Sequence, residues 1–307
     1  MAYVTGSAAN ISDLAAALRN ACIANGWANP AGNILSKGTS FFSVAASGNF
    51  VELKGGLGQS SGTLTTASPN FVRLGGSYMT FPVTYEIHIL TNPDEVYMVV
   101  NYNSDYYQQL SFGTSDVAGA GNGPWITGAH NSAATSNNNG CNVSTTFNDI
   151  FCYCFSTIST NAVGLFIKGA WYGEVGSSYF YTTLGTPGWY GAGDSTNGIK
   201  NSSASLVAGL LGSLPSAFNS TTVLLPIKGV KNMTNNGVAT VVNPRNARLC
   251  RLDNLTPGSI VTYGADQWKV YPWLRKDATT RNGVNNSTST PPNHTGTYGY
   301  AIRYTGT

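Results

Sequence analysis

A short stretch rich in glycine and serine is the first place where the chain could carry out chemistry. Gly58-Gln59-Ser60-Ser61-Gly62 matches the G-x-S-x-G pattern of a hydrolase nucleophile elbow. That chemistry needs a strand before the serine, a helix after it, and an acid and a histidine that converge on the hydroxyl. Residues 63–69 do not look helical, and a chain rich in Gly and Ser meets this pattern easily. We therefore favour a flexible turn over a catalytic Ser60.

Histidines and cysteines give little support for a metal site. No two of His88, His130 and His294 have metal-ligand spacing. Cys152 and Cys154 would place both sulfurs on one face of a strand, but a zinc ion would need two further ligands. We expect free thiols made in a reducing cytoplasm, and no metal or cofactor. The five cysteines are Cys22, Cys141, Cys152, Cys154 and Cys250.

Paired carboxylates are also scarce. Asp94 and Glu95 lie in a predicted hairpin turn, where solvated turn chemistry accounts for both. Glu86 and Glu174 are isolated, so a glycosidase acid–base pair would have to be assembled by the fold. The chain has neither a phosphate-binding loop nor a dinucleotide fingerprint. From these residues we predict that the protein is not an enzyme.

A run of aromatic residues in the middle of the chain offers more for binding. Flat rings beside Asn, Ser and Asp suit neutral, amphipathic ligands such as sugars, or adaptable protein contacts. The alternative is ordinary packing in a β core. The candidate contact residues are Trp171, Tyr172, Tyr179, Tyr181, Trp189 and Tyr190.

A loose basic cluster follows in the C-terminal third. Nucleic acid is an unfavoured partner, because no stacking aromatic residue lies between Leu224 and Ile260. A solvated basic face without a partner is the alternative, and an acidic protein is the partner that fits better than nucleic acid. The candidate docking residues are Lys228, Lys231, Arg245, Arg248 and Arg251.

The elements that must position these residues are mainly strands. Helical spacing predicts one helix over residues 11–24, and a second near 203–211. The strongest hairpin signal joins Val83–Leu90 to Val96–Tyr102, with Ile87 on one face and Glu86 and His88 on the other. We predict an α+β, mainly β fold with antiparallel, sandwich-like sheets.

Three regions divide the predicted fold, and one continuous domain is the alternative. Residues 1–113 hold the helix and the hairpin, residues 114–200 are rich in loops and aromatics, and residues 201–307 form a basic β region. Residues 117–148 contain no charged side chain, and we expect a long loop there that is available for contacts. No stretch is apolar enough to span a bilayer, and no secretory signal is visible.

Charge is scarce and is sorted by sign along the chain. Only 29 of 307 residues are charged, with 16 Lys and Arg against 13 Asp and Glu. Residues 1–199 hold five basic and ten acidic groups, a balance of −5, and residues 200–307 hold eleven basic and three acidic groups, a balance of +8. Because mixed exposed charge keeps monomers apart, this pattern predicts an assembly component whose complementary faces meet other copies or neighbouring proteins.

Three stretches together resemble a family of virion structural proteins of tailed bacteriophages, associated with the tail or neck. The first stretch is the opening, 1–7, with the predicted helix and Asn25-Gly26-Trp27. The second runs from Phe81-Pro82-Val83 through Thr91-Asn92-Pro93 to Asp105-Tyr106-Tyr107. The third combines Gly264–Lys276 with His294–Tyr304.

The resemblance implies a virion part made in the host cytoplasm, which becomes stable in a ring or another symmetric oligomer. Its expected partners are further copies of itself and other tail, neck or baseplate proteins. We expect no membrane partner, and nucleic acid is unfavoured, as argued from the residues above. The alternative is an adhesin that binds a host receptor or glycan through the aromatic region at 171–190. A hydrolase built on Ser60 is a third and weaker hypothesis.

Overall fold

A computed structural model describes residues 1–77, 79–121, 123–129, 178–191, 222–233, 237–252, 255–272, 285–286, 293–294 and 298–306. In chain order the elements are β1 (Ala2–Ala8), α1 (Ile11–Ala24), β2 (Ala28–Ala31), β3 (Ile34–Lys37), β4 (Ser40–Ser47), β5 (Phe50–Gly56), β6 (Gly58–Ser60), β7 (Thr63–Thr65), β8 (Val72–Gly75), β9 (Val83–Leu90), β10 (Glu95–Tyr102), β11 (Tyr106–Thr114), β12 (Pro124–Gly128), β13 (Ser178–Thr182), β14 (Gly188–Gly191), β15 (Leu225–Pro226), β16 (Gly229–Asn232), β17 (Val238–Val242), β18 (Ala247–Arg251), β19 (Ile260–Tyr263), β20 (Asp266–Pro272), β21 (Asn285–Asn286), β22 (Asn293–His294) and β23 (Tyr298–Arg303). The predicted class, α+β and mainly β with antiparallel sheets, is confirmed.

Helix α1 has the predicted bounds and is explained by its own sequence. The Asn10 side chain accepts a hydrogen bond from the backbone N–H of Asp13, which satisfies one of the unpaired donors of the first turn. Leu14, Leu18 and Cys22 lie on one face and are buried. The helix therefore covers the strands beside it with a single apolar stripe.

The central sheet has seven antiparallel strands in the order β1-β9-β10-β11-β12-β13-β14. The predicted hairpin forms its middle, with Ile87 opposite Met98 and His88 opposite Tyr97. Since side chains alternate along a strand, Ile87 and Met98 point to one face while His88 and Tyr97 point to the other. Nearly all residues of β10 and β11 are buried, because both faces of this sheet are covered.

Helix α1 and a five-stranded N-terminal sheet, in the order β2-β3-β4-β5-β8, cover one face of the central sheet. An aromatic group forms the core between them, with Phe42 and Phe112 ring centroids 4.7 Å apart and Trp27 and Phe112 5.3 Å apart. At the edge of this core, the Gln108 amide donates to the Gly75 carbonyl and accepts from its N–H. This polar pairing aligns β8 with β11.

A five-stranded C-terminal sheet, in the order β15-β18-β23-β20-β19, packs on the opposite face of the central sheet. Its inward residues, among them Leu249, Tyr271 and Ile302, belong to the main hydrophobic core. The β16–β17 hairpin lies beside it, where the Ser115 hydroxyl donates to the Val241 carbonyl at 2.7 Å. The described chain thus forms three layers with the central sheet in the middle.

The uncharged segment at 117–148 is only partly a loop: the described residues before Pro124 form turns, but a strand follows them. Pro124–Gly128 forms β12, an inner strand of the central sheet, in which Trp125 and Ile126 are fully buried. The expectation of an exposed contact loop is therefore wrong for these residues, because apolar side chains that fill a sheet need no charge. The central sheet also continues across the boundary expected at 113–114, since β11 pairs with β12.

The second predicted helix, near 203–211, lies outside the described residues.

Candidate functional site

A group of polar and ionisable side chains in mutual contact joins the central sheet to the C-terminal sheet. We call it the polar cluster: Tyr3 of β1, Glu86 and His88 of β9, and Lys269 and Tyr271 of β20. Tyr3, Glu86 and His88 share one face of the central sheet, as the pairing of Thr5 with Glu86 and of Tyr3 with His88 requires. Lys269 and Tyr271 meet them from the facing sheet.

Glu86 is the centre of the polar cluster. Its Oε2 atom accepts hydrogen bonds from the Tyr3 hydroxyl at 2.5 Å and the Tyr271 hydroxyl at 2.6 Å, and lies 2.6 Å from the Lys269 Nζ atom. Burial would raise the pKa of Glu86, but the hydrogen bonds from Lys269, Tyr271 and Tyr3 outweigh it and lower that pKa. The carboxylate is thus ionised near pH 7, and its Oε2 atom makes all three contacts.

His88 extends the polar cluster into the protein interior. Its Nε2 atom lies 2.8 Å from the Tyr271 hydroxyl, and its side chain is completely buried. Because the single hydroxyl proton of Tyr271 goes to Glu86, the hydrogen-bond network assigns the imidazole proton to Nε2. Burial lowers the pKa of His88 to about 4 and outweighs the nearby negative charge of Glu86, which would raise it, so the ring is neutral near pH 7.

Aromatic rings enclose the Lys269 ammonium group. The Nζ atom lies 4.8 Å from the ring centroid of Tyr3 and 5.6 Å from that of Tyr304, and it donates to the Tyr3 hydroxyl at 2.6 Å. Burial, reinforced by Glu86, raises the pKa of the Tyr3 hydroxyl. Every charged group of the cluster therefore has a partner inside the cluster, and the arrangement holds two sheets together.

A second buried carboxylate also joins the two sheets. Glu95 is 0% exposed, so its expected place in a solvated turn is wrong. Its two oxygens accept from the Tyr97 hydroxyl, from the backbone N–H groups of Arg245 and Asn246, and from the Asn246 side chain. Burial raises the pKa of Glu95, although these four hydrogen bonds oppose the shift. Arg245 and Asn246, which bind this carboxylate, come directly before β18 of the C-terminal sheet.

The opposite charges of the two parts of the chain meet within one molecule. Glu86 pairs with Lys269, Glu95 holds the backbone of Arg245, and the Arg245 guanidinium lies 2.7 Å from Asp116. In each case the acidic group belongs to residues 1–199 and its partner to residues 200–307. For these residues, the attraction that we expected between copies acts between layers of the same fold.

The aromatic candidates do not share one surface. Trp189 and Tyr190 are neighbours on β14 and point to opposite faces. Tyr179 and Tyr190 are buried, whereas Tyr181 and Trp189 are half-buried and pack edge-to-face with centroids 5.9 Å apart. Among the candidates that the structure describes, Tyr181 and Trp189 are therefore the accessible aromatic pair. Trp171 and Tyr172 lie outside the described residues.

The accessible aromatic pair is anchored on the N-terminal sheet. The Trp189 indole N–H donates to the Thr66 carbonyl at 2.7 Å, and its ring fills the space above Gly55. Tyr181 stands directly opposite Trp189 in the β13–β14 ladder. One face of this ring pair is thus fixed by packing, while part of its surface remains exposed.

The basic candidates are dispersed rather than gathered on a single face. Lys228 is exposed, whereas Lys231 is buried, donates to the Leu184 carbonyl at 2.6 Å and lies 3.7 Å from the Tyr190 ring centroid. The Arg248 guanidinium stacks 4.9 Å from the Trp268 ring and donates to the Ala247 carbonyl. Arg245 is exposed and paired as described above. Arg251 lies in β18, but its side chain is outside the part of the chain that the structure describes.

Ser60 lies at the end of β6, in a hairpin rather than a strand-to-helix elbow. Ser61 and Gly62 form the turn with φ of 49° and 79°, and β7 follows directly. Cys22 and Cys250 are buried free thiols whose pKa values are raised by burial. The other three cysteines lie outside the described residues.

Sequence reasoning placed Glu86 and His88 correctly on one face but did not associate them with Tyr3, Lys269 or Tyr271. The signal available was a charged residue and a histidine on the same face of an otherwise apolar strand, which indicates a polar partner across that face. In the described residues, no helix is long and apolar enough to cross a membrane. No protein-family model matches the chain, and no curated protein shows significant sequence similarity to it.

Proposed function

We propose that the protein is a structural component of a tailed-phage virion, in the tail, neck or baseplate, where it self-associates and docks onto neighbouring virion proteins. The observation that carries the proposal is the use of its few charges. Pairs such as Glu86 with Lys269 and Glu52 with Arg73, which are 2.6 Å and 2.7 Å apart, lie partly buried within the fold. These charged side chains, already few in the sequence, therefore contribute little charge to the protein surface.

A surface of this composition favours stable contacts with other protein surfaces. Exposed charge of one sign opposes association, and its scarcity removes that opposition. The residues that replace charge are Gly, Ser, Thr and Asn, which offer hydrogen bonds at a small desolvation cost. The resemblance of both ends of the chain to virion structural proteins supports a phage virion as the assembly to which the protein belongs.

Two measurements together test the assembly function. Light scattering coupled to size-exclusion chromatography should show a defined oligomer, and it should persist in high salt because the charge pairs that we observe are intramolecular. Gold-labelled antibody against the chain should mark one fixed position on purified phage particles. A strictly monomeric protein that is absent from the particles would contradict the proposal.

A second candidate function, a glycan-binding adhesin, is favoured by the half-exposed pair of Tyr181 and Trp189. Sugars bind to aromatic faces of this kind. Trp189→Phe and Tyr181→Ala should each weaken binding to host polysaccharide. Tyr263→Ala is the matched control, since Tyr263 is 72% exposed on a different sheet. Equal loss in all three variants would indicate nonspecific adsorption, and no loss in the first two would remove this candidate.

A further inference from the structure

The outer edges of the three large sheets differ in how they are protected from pairing with another strand. An open sheet edge presents unpaired backbone donors and acceptors, and proteins usually block it with proline, charge or a covering segment. Edge strands β2 and β15 contain Pro30 and Pro226, and β8 contains Arg73. The edges formed by β14 and β19 are only four residues long.

Among the described edge strands, β1 is the longest, and it carries neither charge nor proline. Its seven residues read Ala-Tyr-Val-Thr-Gly-Ser-Ala. All seven residues pair with β9 on one side, and within the described part of the chain no strand pairs with the other side. Thr5 and Ser7 are exposed, whereas Ala8 is buried. The accessible edge therefore covers residues 2–7, roughly 20 Å at about 3.4 Å per residue.

We propose that the outer edge of β1 pairs antiparallel with β1 of a second copy, so that two central sheets become one continuous sheet across a twofold axis. This inference rests on the proposed self-association and identifies its interface. A twofold contact places each residue against a residue of the same strand. Any charged side chain near the axis would then face its own copy, and β1 carries none.

The twofold axis itself sets the antiparallel arrangement. An axis perpendicular to the sheet reverses the direction of the second strand and keeps corresponding faces of the two central sheets on the same side. Pairing centred on Thr5 puts Thr5 opposite Thr5, and it places Tyr3 opposite Ser7 of the second copy.

Site-directed crosslinking tests both the interface and its direction. Thr5→Cys substitutes an exposed residue of similar size, and treatment with a short bis-maleimide should convert most of the chain into a covalent dimer. Ala2→Cys should not crosslink with itself, because centred antiparallel pairing separates the two Ala2 positions by roughly 20 Å. Thr63→Cys, at an exposed residue of the β6–β7 hairpin, controls for crosslinking by random collision. The unaltered protein controls for crosslinking through the native cysteines.

The outcomes separate this interface from the self-association on which it rests. An oligomer in solution with crosslinking of Thr5→Cys alone supports antiparallel β1 pairing. An oligomer without that crosslink overturns the β1 interface and leaves self-association intact. Crosslinking of Ala2→Cys as well overturns the antiparallel direction. A monomer at every concentration overturns both. Urea denaturation of each variant verifies that it is folded.

Discussion

The Lys269 ammonium group and the Glu86 carboxylate lie 2.6 Å apart between two sheets, although they are far apart in the chain. Lys269 belongs to the C-terminal sheet, and Glu86 belongs to the central sheet. Their side chains are only 14% and 27% exposed, so water screens the pair weakly. This contact joins the acidic and basic parts of the chain, and it makes the attachment of the C-terminal layer depend on charge.

Removal of the Glu86 charge should weaken that attachment. Glu86→Gln keeps the shape of the side chain but leaves the Lys269 ammonium group without its counter-charge. We expect the free energy of unfolding to fall by about 1 to 3 kcal/mol, less than for a fully buried pair because both groups retain some solvent contact. Urea denaturation monitored by circular dichroism measures the change.

The paired substitution provides the control for this prediction. Glu86→Gln combined with Lys269→Met removes both charges, and part of the lost stability should return because no unpaired ion remains. Additive losses from the two single substitutions would show that the two groups do not interact.

His88 should make stability depend on pH. The unfolded chain binds a proton at this imidazole below about pH 6.5, whereas the buried ring of the folded protein remains neutral down to about pH 4. The unfolded state therefore binds more protons in this window, and stability falls as the pH decreases. Between about pH 7 and pH 5 the contribution of His88 to the free energy of unfolding should drop by about 2 kcal/mol, whereas Glu95, whose pKa is raised by burial, acts in the opposite direction.

The variant His88→Gln isolates this effect, because glutamine retains a hydrogen-bond donor for Tyr271 and does not titrate. In the variant, the free energy of unfolding should fall less between those pH values, and the difference from the unaltered protein is the contribution of one histidine. Glu86, with its lowered pKa, also loses its contribution as the pH falls, but only below the range compared here. An unchanged pH profile in His88→Gln would assign the dependence to other groups.

Local patterns predicted the elements well, because they depend on neighbouring residues. The cap at Asn10 and the apolar spacing of Leu14 and Leu18 specify α1, and the alternation along β9 specifies its two faces. Strand β1 was missed. Its mixture of small and polar residues has little strand pattern of its own, and its conformation depends on pairing with β9, more than 70 residues later.

The site residues were harder to predict because adjacency in sequence is not adjacency in space. Trp189 and Tyr190 looked like parts of one aromatic surface, but a strand turns them to opposite faces. Lys231 looked like a member of a basic face, yet it is buried against Tyr190. The polar cluster combines residues from both ends and the middle of the chain, so only the fold brings them together.

Glu95 accepts four hydrogen bonds, so the loss of one of its acceptor oxygens should lower the stability of the protein. Glu95→Gln replaces an oxygen by an NH2 group, which would face donors from Tyr97, Arg245 or Asn246 instead of accepting from them. We expect a loss of about 2 to 3 kcal/mol in the free energy of unfolding. Asp94→Asn is the neighbouring control, and it should change stability by less than about 0.5 kcal/mol. Equal effects of the two substitutions would contradict a specific role for Glu95.

Gly55 should be required for the position of Trp189. A Cβ atom at Gly55 would lie 2.5 Å from the Trp189 ring, whereas at Gly188, on the same strand as Trp189, the nearest atom would be 4.0 Å away. Gly55→Ala should therefore displace the indole, break its hydrogen bond to Thr66 and cost about 1 to 3 kcal/mol. Gly188→Ala is the matched control and should leave the indole in place. Tryptophan fluorescence reports the displacement as a shift of the emission maximum, and thermal unfolding reports the loss of stability. If Trp189 contributes to glycan binding, Gly55→Ala should also weaken that binding without altering either aromatic residue.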